Sequence, residues 1–314
     1  MSDVKRRGAL RVLAWAMTLL AIAYLAQAVV RDWRAMDFSV LRVRPLVLAA
    51  SILLESAALA WGVSAWGRLI RTVTGSELRL RSLLRVWWSA SVARFIPGKV
   101  WPFVAAAGGS ATTGVSGPLL AATFGLHAAL ALVTAAVVGA AALERTEGEL
   151  AGIALSAIAL AILLVAIHPR LARGGVRLVE RVLGREPREW SYRWRDGAAL
   201  VAIHVTSWLA QGVALHLFVQ SIVGIAPTAM PQVVSATALS FAGGSLFSIA
   251  PAGIGVREAA LAVMLEPYVP AGTATVVALA ARLWSVAAEA LLGGIALLLS
   301  RRTLPAATID EVKP

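Results

Sequence analysis

The chain has 314 residues, of which 59% are hydrophobic and only 15% charged, with a mean hydropathy of +0.78; that balance excludes an ordinary water-soluble domain. Cysteine is absent, which excludes disulfides and thiolate metal sites. The formal net charge of +12 invites a nucleic-acid reading, but the basic residues alternate with apolar windows, as bilayer orientation requires, so no nucleic-acid partner is expected.

Eight apolar windows near the length needed to cross roughly 30 Å of hydrocarbon run along the chain: about 12–30, 46–66, 118–142, 150–167, 198–219, 231–248, 254–266 and 274–299. The expected fold class is an all-α, polytopic bundle of about eight spans, in one transmembrane domain over 1–314. Lys5, Arg6, Arg7 and Arg11 precede the first window, and Ala26-Gln27-Ala28 imitates a cleavage site. The length of the apolar run favours a retained span over a signal peptide. Most Lys and Arg fall in 1–11, 68–99, 168–196 and 300–314, which predicts cytoplasmic N- and C-termini in a bacterial inner membrane. The loop 30–45, with Arg31, Arg34, Arg42 and Arg44, fits that rule poorly.

Glu55 lies near the middle of the second window. The segment 77–88 predicts an amphipathic helix with Leu80, Leu83, Leu84, Trp87 and Trp88 on one face, its tryptophans marking the water–lipid boundary. In 94–114, Pro97, Gly98, Pro102, Gly108 and Gly109 exclude a straight spanning helix and predict a pair that dips in and returns. The arginines of 168–196 recur every three or four residues, suiting a helix on an anionic lipid surface or a loop that only fixes topology. In the fifth window His204, Trp208 and Gln211 share a face, read as hydrogen bonding between helices. His204 and His216 lie about 120° apart around a helix, so no histidine metal site is expected.

The stretch SIAPAGIGVREAALAVML (248–265) breaks an apolar run at Pro251, Gly253 and Gly255 and adds Arg257 and Glu258. Its pattern matches FIPGKVWPFVAAAGG: proline after an apolar residue, glycine, a cation, then a short helix of small residues. The two breaks lie about half the chain apart, as in an inverted repeat with pseudo-halves 1–150 and 151–314. Paired interrupted segments point to a transporter's binding site. A helix starting near Ile254 would aim its positive end into a cavity, beside Arg257.

Charges at mid-bilayer cost roughly 2.5–3.5 kcal/mol each on insertion scales, so each faces protein or water and has a partner. The acids Glu55, Glu258 and Glu289 stand against the bases Arg94, Lys99, Arg257 and Arg282. That cluster neutralises itself and leaves about one positive charge for an anionic headgroup. Arg282 and Glu289 are too far apart along one helix to pair, so each is expected to reach another helix, Arg282 toward Glu258. Fixed interhelical ion pairs without a ligand would explain the same residues.

Three motifs in order, ARFIPGKVW (93–101), PAGIGVREA (251–259) and ALAARLWSVAAEALLGG (278–294), resemble the flippase-like membrane domain of the bacterial lysylphosphatidylglycerol synthases. The family often has Pro-Gly-Gly at the second break, where this chain has Ala252. The resemblance implies a lipid translocase whose substrate-binding positions are Arg94, Pro97, Gly98, Lys99, Pro251, Gly253, Gly255, Arg257, Glu258, Arg282 and Glu289, with Glu55 added by its place in the second window. No cofactor is expected. The aminoacyl-transfer domain of those synthases is missing from this sequence, so synthesis of lysyl lipid is not expected.

Two other readings compete with a translocase. A membrane enzyme using a lipid-linked sugar donor would draw on Asp32 and Asp37, but no catalytic constellation is visible. A non-transporting partner subunit would tolerate neutral replacement of the buried charges. A membrane phospholipid or lipid-linked substrate is the expected partner, and a homo-oligomer is compatible with every one of these readings.

Overall fold

A computed structural model describes residues 27, 30, 41–96, 98–143, 168, 170, 174, 192–246, 253–270 and 272–301. The window 150–167, nearly all of 12–30, most of the arginine-rich segment, Asp32 and Asp37, and both site prolines, Pro97 and Pro251, lie outside the described residues.

The described chain is all-helical: α1 (Pro45–Thr74), α2 (Leu80–Ala93), α3 (Trp101–Gly108), α4 (Ser110–Thr113), α5 (Gly117–Leu143), α6 (Trp194–Ile222), α7 (Met230–Leu246), α8 (Val256–Leu265) and α9 (Ala274–Arg301). Among the described residues four helices, α1, α5, α6 and α9, are long and apolar enough to cross a membrane. With α7 of 17 residues and the short α8, they account for six of the eight windows. The chain is a multi-pass α-helical membrane protein.

Apolar lipid offers helices no hydrophobic reason to associate, so close approach and hydrogen bonds must hold them. Both occur. Gly212 of α6 lies against Val234 of α7, where a Cβ would stand 2.5 Å from the Val234 Cα. Ser207 Oγ donates to Ala58 O at 2.8 Å, Ser56 Oγ to Ala288 O at 3.0 Å, and Trp66 Nε1 to Thr123 Oγ1 at 3.0 Å. Trp284 Nε1 donates to Ser51 Oγ at 3.0 Å, joining α9 to α1. Each of these bonds bridges two long helices.

The two interrupted regions are built alike. After the first break α3 packs back against α2, and after the second α8 packs back against α7. Each short helix then contacts the long helix that follows it, α5 or α9. At 8 residues, about 12 Å, α3 is far too short to cross. One tryptophan of α2 departs from expectation. Trp87 is buried and faces the interior, whereas Trp88 is half-buried and lies over Gly293 of α9. The small Gly293 surface gives the Trp88 indole a protein partner.

Candidate functional site

The helices enclose a cavity of about 500 Å³, within the usual range for small-molecule sites. Its wall takes residues from both broken regions: Arg94, Gly98 and Lys99 from the first, Gly253 and Arg257 from the second, with Arg282 and Glu289 from α9 and Glu55 from α1. Aromatic rings of Trp87, Phe103, Phe124, Trp208 and Phe241 line the rest. A smaller cavity of about 20 Å³ adjoins the same charges, lined by Glu55, Arg257, Glu258 and Arg282.

The charges divide into committed and uncommitted groups. Arg94 Nη2 donates to both carboxylate oxygens of Glu289, 2.7 Å to each. Arg282 Nε stands 3.6 Å from Oε1 of Glu258, the pairing expected from the sequence. Both arginines also approach one ring, at 5.1 and 5.5 Å from the centroid of Phe95. Among the described residues Arg257 and Lys99 form no ion pair; Arg257 approaches the Phe241 ring at 5.8 Å. Glu55 is buried, with Oε2 lacking a hydrogen-bond partner among the described residues.

The second break adds a feature at the helix start. The helix begins at Val256, near the expected Ile254, and the amide of its N-cap residue is already taken: the Gly255 N–H donates to Oε2 of Glu258 at 2.7 Å. Glu258 thus satisfies one amide at the helix start and steadies Arg282 with its other oxygen. Gly255 belongs to this cap and does not line the main cavity. Gly253, at φ +69°, lies so close to Gly244 that a Cβ would stand 2.8 Å from its carbonyl oxygen. Only glycine lets the returning chain pass there.

The polar face of α6 does what its spacing predicts, joining helices: Trp208 Nε1 donates to Ala131 O at 3.1 Å and to Thr134 Oγ1 at 3.2 Å of α5. Sequence reasoning missed His127. Its Nδ1 lies 3.1 Å from Nε2 of His204, and both rings line the cavity. The two are 77 residues apart, and His127 sits in an otherwise apolar window, so only the packing of α5 on α6 joins them.

The class defined by this fold and site is a multi-pass helical membrane protein with a charged internal cavity between two broken helix pairs. Residues 9–293 match the family model described as the lysylphosphatidylglycerol synthase transmembrane region, and the chain belongs to that family. Membership ties it to membrane lipids. No curated protein sequence matches it.

Proposed function

We propose that the chain is a lipid translocase that carries a polar, phosphate-bearing headgroup between leaflets through the charged cavity. The observation that carries this reading is the uncommitted Arg257. Arg94 and Arg282 are held by carboxylates, whereas Arg257 and Lys99 line the cavity with no ion-pair partner among the described residues. Against Glu55 they leave one net positive charge. Binding an anionic phosphate there completes the cluster and replaces water that the headgroup loses on entering a low-dielectric core.

The acyl chains have a route as well. The first break exposes apolar side chains next to the cavity, with Ile96 46% and Phe103 38% accessible while both also line it. A headgroup inside with tails trailing past these residues never brings the tails into contact with polar groups. Gly98 and Lys99 stand beside this mouth, so Lys99 meets an anion first. In this reading both termini are cytoplasmic in a bacterial inner membrane. Single cysteines introduced near each end, into a chain that has none, report that topology by accessibility to a membrane-impermeant thiol reagent.

The test is leaflet exchange of an acyl-labelled phospholipid in proteoliposomes, read by a membrane-impermeant reductant. Arg257→Ala is expected to slow exchange at least about tenfold, the loss of one charge-assisted hydrogen bond, with insertion and Tm retained. Unchanged exchange sinks the assignment.

A further inference from the structure

His127 and His204 form a hydrogen-bonded chain whose proton positions follow from chemistry. His204 Nδ1 lies 2.7 Å from the Leu200 carbonyl oxygen, which only accepts, so His204 Nδ1 carries a hydrogen. In the neutral ring Nε2 is then a bare lone pair. At 3.1 Å it accepts from Nδ1–H of His127. A neutral His127 therefore bears its own lone pair on Nε2, which has no partner among the described residues.

The His127 ring belongs to the cavity. It lines the wall and is half-buried, and His204, which also borders the cavity, is 3% exposed. Phe124 borders His127 at 6.4 Å between ring centroids. A bare lone pair in such a wall repels an anion and attracts an O–H or N–H donor. The cavity thus has two chemically opposite ends of contact: uncommitted cations at the broken helices, and an acceptor on α5 whose tautomer is fixed from behind.

We infer that His127 Nε2 is a specificity contact that accepts a hydrogen bond from a hydroxyl or protonated amine of the headgroup, so that the cavity selects lipids carrying such a donor beyond their phosphate. The inference rests on the proposed headgroup site and adds to it the class of headgroup. His204 is a positioning residue. Both of its ring nitrogens are already engaged, and it sets which nitrogen of His127 is bare.

The probes are acyl-labelled phosphatidylethanolamine and phosphatidylglycerol, which carry donors, and phosphatidylcholine, whose methylated nitrogen carries none at the same charge as ethanolamine. Equilibrium binding to the full chain in detergent is measured for each, so translocation is not needed for the readout. Wild-type protein is expected to bind the donor-bearing lipids about tenfold more tightly than phosphatidylcholine, the worth of one well-made hydrogen bond. In His127→Phe, and in His127→Leu as a second variant should the first misfold, that ratio falls toward one. A wild-type ratio near one overturns the inference, as does a ratio that either folded variant leaves unchanged. Selective binding without leaflet exchange would instead overturn the translocase reading and leave the subsite standing.

Discussion

Arg94 and Glu289, 195 residues apart in the chain, meet through a single guanidinium nitrogen that reaches both carboxylate oxygens at 2.7 Å. The pair ties the first broken region to the last long helix. Glu289 is 8% and Arg94 27% exposed at the side chain, so the carboxylate is the member that cannot be left alone.

That asymmetry gives a first prediction. Arg94→Ala strands a buried carboxylate and should destabilise by about 1–3 kcal/mol, whereas Arg94→Ala combined with Glu289→Ala should recover part of the loss. Thermal unfolding of the four-member cycle in detergent checks it. Additive losses would show that the two side chains act independently.

Glu258 has two tasks, and substitutions separate them. Glu258→Gln keeps an acceptor for the Gly255 N–H but loses the charge facing Arg282; Glu258→Ala loses both. The alanine variant should be less stable than the glutamine variant by about 1 kcal/mol, the usual worth of a helix cap. Equal Tm values would remove the cap from the account.

Neighbouring glycines of α9 provide an internal control. A Cβ on Gly293 runs into the Trp88 ring, whereas one on Gly294 meets nothing within 4 Å. Gly293→Ala should cost about 1–3 kcal/mol by overpacking. Gly294→Ala should be neutral or stabilise by up to about 1 kcal/mol through helix propensity. Tm measurement of both variants decides, and equal shifts would deny the close contact of α2 with α9.

The return of the chain at the second break depends on Gly253. Gly253→Ala combines a disfavoured positive φ with a carbonyl oxygen 2.8 Å away, so the loop must shift. We expect lipid exchange to fall more than it does in Gly75→Ala, whose φ of +72° is close to that of Gly253 but which has open space around it. Proteoliposomes containing each variant give the comparison, and equal rates would mean the crossing at Gly244 does not shape the site.

Much of this was legible in the residues because membranes punish unexplained polarity. Glu55, Arg257, Glu258, Arg282 and Glu289 stood out as charges in apolar windows, and all are found around one pair of adjoining cavities. The pairing of Arg282 with Glu258 could be guessed, since the distance from Arg282 to Glu289 along one helix left each in need of a partner elsewhere. What stayed hidden was tertiary. Trp87 and Trp88 have the composition of an interfacial belt, and only the packing of α2 shows that Trp87 is buried inside and that Trp88 rests on Gly293. His127 offered no pattern, because its partner is fixed by the packing of α5 on α6. The cap on α8 reads as a free positive end until the Glu258 side chain is seen folding back to Gly255.

That folded-back carboxylate has a wider consequence. With the Gly255 amide held by Glu258, a carboxylate sits in the first turn of α8 and offsets its positive end, so the charge preference of the cavity rests chiefly on its side chains. The same scaffold is therefore open to retuning, from anion toward cation, by exchanging residues such as Arg257 while every helix stays in place.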